Sequence, residues 1–325
     1  MGLYIRIGCL HFLTELMENL YLIGNGFDKH HDIPSGYWDF HDWLKTKDEN
    51  LVEQIDELYD YNGDLWGNFE VELGNFNVEK KAIEIYREHP ADEMSDHYER
   101  SFHEGAIVAG DTIGDIYNKI LEQFPIWVKQ LPKANPMKQI KVQDDSYYVT
   151  FNYTDTLIDL YNIPIKNILF IHGRVKTNRF LVLGHGKSEQ QVKVESEKNF
   201  DENTHPAYEQ TVQAIENQVN KMRKKTEKII ESNKAIFDSF KDVKHIYAYG
   251  LSMSEVDKPY FEEIINRIDV GNVTWHIDAH GKNCVSIARK GVAKRKFLAS
   301  MGIPKSNVKV CTLEKMRVYK DNQLF

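Results

Sequence analysis

The sequence predicts an α/β protein built on a parallel sheet. Short apolar, β-branched or aromatic runs, each bounded by turn-forming residues, recur along the chain. Long segments of helical periodicity separate them, and strands alternating with helices call for a parallel sheet covered on both faces. With 325 residues, 42% of them hydrophobic, the chain can bury one large core of this kind or two smaller ones.

Residues 1–16, MGLYIRIGCLHFLTEL, precede the first well-formed element. Arg6, His11, Glu15 and Glu18 interrupt the apolar stretch a secretory signal needs, and Arg6 stands where myristoylation asks for Ser or Thr. The segment reads as an upstream extension, with Met17 the functional start. The apolar runs then lie at 20–23, 147–151, 168–171, 180–183, 245–249, 273–277 and 308–312. Between them, 37–140 is mostly helical in pattern. In 205–240, Val212, Ile215, Val219 and Met222 fall at three- and four-residue spacing, one apolar helix face. The run 221–228, with Lys221, Arg223, Lys224, Lys225 and Lys228, reads as a solvated helix face. The simplest organisation is one α/β core over 17–325 carrying helical insertions at about 37–140 and 190–240. Its crossovers should be right-handed.

Charge and cysteine usage narrow the function classes. A formal net charge of −8 disfavours a surface that holds nucleic acid through many phosphates. No apolar run approaches the ~20 residues that span a bilayer. Cys9, Cys284 and Cys311 are far apart and form no C-x-x-C, which excludes a disulfide scaffold or zinc ribbon and points to a reducing cytoplasm. His30 and His31 are adjacent and would point apart, no H-E-x-x-H is present, and the acidic stretch 60–64 has Leu65 where a calcium loop needs glycine. No metal is expected. The G-x-S-x-G elbow and the P-loop are absent as well.

In an open α/β sheet, ligands bind beyond the carboxyl ends of the strands. The first run ends in Gly24-Asn25-Gly26-Phe27-Asp28, where the glycines would let the backbone turn and approach a phosphate, or would make only a tight turn. The second ends in Asn152, whose amide could orient a ribose hydroxyl or a water, or cap the next helix, as could Thr154 or Asp155. The third ends in His172-Gly173, a candidate general base with His185 of Gly184-His185-Gly186 as its competitor. After the fifth come Gly250, Ser252 and Asp257, ligand contacts or an ordinary helix cap. Asp278-Ala279-His280 ends the sixth and suggests a ligand-facing loop.

The blocks LIGNGFD, SGYWDF, LWGNFE, VTFNYTDTL, LFIHG and YGLSMSEVDKPYF resemble the bacteriophage abortive infection protein AbiH family, from Met17 onwards. More distantly, the chain is similar to SIR2-like proteins, which share the order of a glycine-rich loop, a T-x-N-x-D strand end, an HG strand end and a G-x-S loop. Here Thr154 stands where that pattern has its aspartate, and Asp155 follows.

The resemblance implies a SIR2-like modified Rossmann fold that binds NAD. Gly24 and Gly26 then match the cofactor loop, with Asn25, Phe27 and Asp28 beside them, and Gly250 and Ser252 match the later contact loop, with Asp257 and His185 as further candidates. Asn152 matches the asparagine that positions ribose and water, and His172 the catalytic histidine. The function so implied is a cytoplasmic antiphage effector that takes NAD as substrate and cleaves its nicotinamide–ribose bond. Its partners would be NAD or a related nucleotide and a phage-derived trigger, with no membrane and no stable nucleic acid, and with oligomerisation left open. The alternatives are a nucleotide-sensing module without turnover, and a hydrolase or nuclease using Asp28, Glu70 and a divalent ion. Trp66 and Glu70 read as structural residues at an insertion edge.

Overall fold

Six of the seven apolar runs become strands: β1 (Asn19–Ile23), β2 (Tyr147–Thr150), β3 (Ile168–Phe170), β4 (His245–Tyr249), β5 (Thr274–Asp278) and β6 (Val308–Cys311). They form one sheet in which every pairing is parallel, in the order β3-β2-β1-β4-β5-β6. That is the doubly wound dinucleotide-fold order, and its direction of winding reverses between β1 and β4. The computed structural model describes residues 17–59, 64–177, 181–196, 205–281 and 283–316. The expected extension 1–16 lies outside the described residues.

The period-two pattern of the strands explains why both faces are covered. Leu20, Leu22, Val149, Ile246, Ala248 and Trp275 face one core, filled out by Phe261 and Ile264 of helix Lys258–Ile265 and Leu298 of helix Cys284–Ser300. Tyr21, Ile23, Tyr148 and Tyr249 face the other, with Phe27, Leu157, Tyr161 and Ile163. The register sets Tyr21 between Tyr148 and Tyr247, and its ring stacks on theirs at 4.9 and 4.6 Å between centroids. Such pairs add about 0.5–1.5 kcal/mol each beyond the area they bury.

The run at 180–183 is the exception. Phe180 lies outside the described residues, and Leu181 to Leu183 form no strand. The Tyr117 hydroxyl donates to the Leu183 carbonyl over 2.9 Å. Two residues on, His185 makes an isolated bridge with Arg223.

The chain forms two compact units. The first combines the described residues of 1–35, 130–181 and 225–325 and contains the sheet; the second takes those of 36–129 and 182–224. The second is helical, with Tyr37–Lys47, Glu49–Tyr59, Phe69–Gly74, Val78–Glu88, Tyr98–Gln130, Glu189–Ser196 and Pro206–Lys221. Its buried centre is aromatic: Trp66 stacks on Phe69 at 5.0 Å, and Phe40 meets Phe124 at 5.3 Å and Trp127 at 5.2 Å.

The boundaries differ from the sequence reading at both insertions. The segment following Lys224 packs on the sheet through Phe237 and Phe240. Helix Pro206–Lys221 ends inside the charged run, so that run is not one solvated face: Lys225 and Lys228 are exposed while Lys224 is buried. Among the described residues, no helix is long and apolar enough to cross a membrane.

Candidate functional site

The loops leaving β1 and β4 meet backbone to backbone at the point where the winding reverses. Gly24 donates its N–H to the Tyr249 carbonyl at 2.9 Å, and Gly26 donates to that of Gly250 at 2.8 Å. Gly250 has φ +69°, and a Cβ there would fall 2.0 Å from the Phe27 nitrogen. The glycines thus serve this close approach. The Gly26 amide, in the loop whose glycines the sequence suggested would approach a phosphate or make only a tight turn, is committed to Gly250.

The rest of the first loop divides by burial. Asn25 is exposed and accepts from the Ser35 hydroxyl. Phe27 is turned into the core beside His31 and Tyr161, at 4.6 and 5.6 Å between ring centroids. His31 Nδ1 donates to the Phe27 carbonyl at 2.7 Å, and its Nε2 meets the Tyr161 hydroxyl at 2.7 Å. Burial pushes the His31 pKa down to about 4, so the ring is neutral.

Behind Gly250 stands a buried ion pair. The Gly250 N–H donates to Asp278 Oδ1 at 2.9 Å, and Lys294 Nζ donates to the same oxygen at 3.1 Å and to the Asp278 carbonyl at 2.7 Å. Burial pushes the Asp278 carboxyl up, but His280, Lys294 and the Gly250 N–H together hold it below the usual carboxylate range. A hydrogen-bonded chain therefore runs Lys294, Asp278, Gly250, Gly26 across three strand ends. The strand-end Asp278 was visible in the sequence as a loop residue, whereas nothing marked Lys294 among the three lysines of its helix.

Asp28 is 1% exposed, and its carboxylate meets neutral donors. The Thr154 hydroxyl donates to Oδ2 at 2.6 Å, the Thr156 hydroxyl to Oδ1 at 2.7 Å, and the Asn152 side chain joins them. Desolvation outweighs these bonds and pushes the Asp28 pKa up to about 6. Asn152 also donates from Nδ2 to the Gly24 carbonyl at 3.1 Å, so it ties β2's end to β1's. Asp155 occupies the N-cap position of Thr156–Asp159 but makes no side-chain capping bond. Arg174 grips it instead, Nε to Oδ1 at 2.6 Å and Nη2 to Oδ2 at 2.8 Å.

His172 lies two residues beyond β3, as Asn152 lies two residues beyond the neighbouring β2. It is 3% exposed, and its Nε2 stands 3.7 Å from Asp257 Oδ1. Asp257 precedes helix Lys258–Ile265, yet its side chain makes no capping bond there. Phe151, Tyr260 and Tyr153 surround the His172 ring at 5.5, 5.7 and 6.3 Å between centroids. These aromatic residues were passed over in sequence because each reads equally well as core. Ser252 is exposed on the loop after β4, beside Met253 at φ +57°. The sheet unit thus brings together Gly24, Gly26, Asp28, Asn152, His172, Gly250 and Asp257 at its carboxyl edge.

His185 belongs to the second unit. Its Nε2 donates to the Val219 carbonyl at 2.8 Å, its Nδ1 accepts the Lys187 N–H at 3.1 Å, and burial lowers its pKa. Both ring nitrogens are engaged by backbone. Glu70 and Trp66 lie in the same unit. Glu70 stands 2.7 Å from the buried Lys224 Nζ, and Trp66 donates to Asp56 Oδ1 at 2.9 Å. Among the described residues, no three His, Cys, Asp or Glu side chains are grouped to hold a metal ion.

Comparison with known proteins adds one match. A family model described as bacteriophage abortive infection AbiH matches residues 20–278, which run from β1 to the end of β5. No curated protein and no solved structure matches the chain. The matched span covers most of the 325 residues and includes Asp28, Asn152, His172, Gly250 and Asp257. The chain belongs to the bacteriophage abortive infection AbiH family.

Proposed function

We propose that the carboxyl edge of the sheet binds NAD and hydrolyses its nicotinamide–ribose bond. Membership of the AbiH family suggests a role in abortive infection, and loss of NAD would halt an infected cell before phage release. The observation that carries the reading is His172, paired with Asp257, walled by aromatic rings and set beside Asn152 at the strand ends.

The chemistry asks little of the protein. The C1′–N bond breaks, its electron pair leaves with nicotinamide as a neutral molecule, and C1′ becomes oxocarbenium-like. Aromatic faces such as those of Phe151 and Tyr260 favour a cationic centre. Water oxygen then bonds to C1′ and its proton passes to His172, whose imidazolium the nearby Asp257 carboxylate favours. Asn152 orients the water or the ribose. The test is nicotinamide release from NAD by the full chain, beside Asn152→Ala and His172→Ala. Release by the wild type and its loss in both variants, with unfolding midpoints kept, supports the reading; release unchanged in both overturns it.

A second reading is favoured by the Gly26–Gly250 bond. A nucleotide phosphate that competes for the Gly26 amide would part the two loops, which suits a sensor without turnover. Saturable NAD binding with no nicotinamide release distinguishes it.

A further inference from the structure

Charge is unevenly distributed along the chain. Residues 279–313 contain eight Lys or Arg and no Asp or Glu, whereas 36–129 contain 22 Asp or Glu and eight Lys or Arg. The formal net charge of −8 therefore conceals one strongly basic stretch and one strongly acidic one.

Helix Cys284–Ser300 carries most of the basic stretch. Its buried residues are Gly291, Lys294 and Leu298, so the opposite side faces water. On that side Val285, Arg289, Val292 and Lys296 follow one another at spacings of four, three and four residues, one line along the helix. Val285 is 75% exposed and Val292 50%. Arg289 and Lys296 are exposed, and neither makes an ion pair among the described residues. Elsewhere the chain answers its cations locally: Lys45 pairs with Glu49, Lys81 with Glu84 and Lys234 with Asp238. A line that alternates unanswered cations with exposed valines fits a partner bearing carboxylates and apolar side chains at the same spacing.

Helix Tyr98–Gln130 presents such a line. Glu104, Ile107 and Asp111 follow at spacings of three and four, and Ile107 is 59% exposed. Asp111 is exposed and makes no ion pair among the described residues, while Glu104 stands 3.9 Å from a His89 nitrogen. With the two helices antiparallel and Ile107 against Val292, Asp111 falls beside Arg289 and Glu104 beside Lys296. Each pair is then level to within about 1.5 Å, the rise of one residue.

We infer that the outer line of helix Cys284–Ser300 docks on the Glu104–Asp111 line of a second copy of this chain. The contact joins two different surfaces, one from each copy. Its ion pairs lie at the surface, so the association is weak and screened by salt.

The test is sedimentation of the full chain, beside a basic-line variant, Arg289→Glu with Lys296→Glu, and an acidic-line variant, Glu104→Lys with Asp111→Lys. The wild type should associate. Its apparent dissociation constant should rise at least about tenfold between ~0.1 and ~1 M salt, as the screening length falls from about 10 to about 3 Å. Each variant alone should associate at least about tenfold more weakly, because like charges then face one another. A one-to-one mixture of the two should regain association, since each offers the other opposite charges on both lines. A wild type still monomeric at about 0.1 mM overturns the inference. So do reversals that leave association unchanged, or a mixture no stronger than its components. Binding of duplex DNA or anionic vesicles through Arg289 and Lys296, by a chain that does not associate, gives the basic line to a polyanion and likewise overturns it.

Discussion

The Thr156 hydroxyl donates to Asp28 Oδ1 over 2.7 Å, joining the loop that leaves β1 to the one that leaves β2, 128 residues later in the chain. Thr154 repeats the tie to Oδ2. Two neighbouring parallel strands thus share one buried carboxylate at their carboxyl ends. The energetic consequence is an ionised group taken out of water, held by hydroxyls and not by a cation.

That burial sets the first prediction. Asp28→Asn should raise stability at pH 8 by about 1–3 kcal/mol, because it removes a buried charge whose pKa burial pushes up to about 6. Urea denaturation of the two proteins at pH 8 measures it. A variant less stable than the wild type would mean that the hydroxyl and amide bonds outweigh the desolvation.

The advantage should depend on pH with a definite sign. Asp28 has a folded pKa of about 6 against the ordinary 3.8, so the native state gains stability as pH falls through 6. His31 is opposite: its folded pKa of about 4 lies below the ordinary 6.5, so its contribution is present above 6.5 and lost as pH falls toward 4. The two slopes oppose one another in the wild type. Asp28→Asn removes the Asp28 slope alone, and its advantage at pH 8 should shrink to near zero at about pH 4. Denaturation midpoints at pH 8, 6 and 4.5 check this; an advantage undiminished at pH 4.5 refutes it.

Lys294→Met should cost about 3–5 kcal/mol, since it strands the Asp278 carboxylate in a site only 1% exposed. The double change Lys294→Met with Asp278→Asn should recover part of the loss, because the neutral amide can still accept the Gly250 N–H. A double variant no more stable than the single one would show that Lys294 acts through something other than this charge.

Two glycines with similar backbone angles separate conformation from contact. Gly302→Ala, at φ +88° with no atom near the added Cβ, should cost about 1–2 kcal/mol for the left-handed conformation. Gly250→Ala, at φ +69° with Phe27 N in the way, should cost distinctly more and loosen the β1 and β4 loops together. Thermal unfolding of both variants decides it, and equal losses would remove the argument that Gly250 is required by close approach.

Local chemistry made much of this protein legible from its residues alone. Short apolar runs ended by glycine or polar residues marked seven candidate strands, of which six form, and the same endings pointed to the loops of Gly24 to Asp28, Asn152, His172, Gly250 and Asp257. These signals lie within a few residues of one another, so a linear reading captures them. Only the tertiary structure decided the strand order, the absence of a strand at 181–183, and the place of His185 in the second unit. It also decided that Asp257 stands by His172 instead of capping its helix, that Gly250 takes the Gly26 amide, and that Asp28 is buried under two threonines. Each of these is a choice of partner between groups far apart in sequence. A donor or acceptor is recognisable from its own chemistry, but which partner it meets is set only when the strands take their places in the sheet.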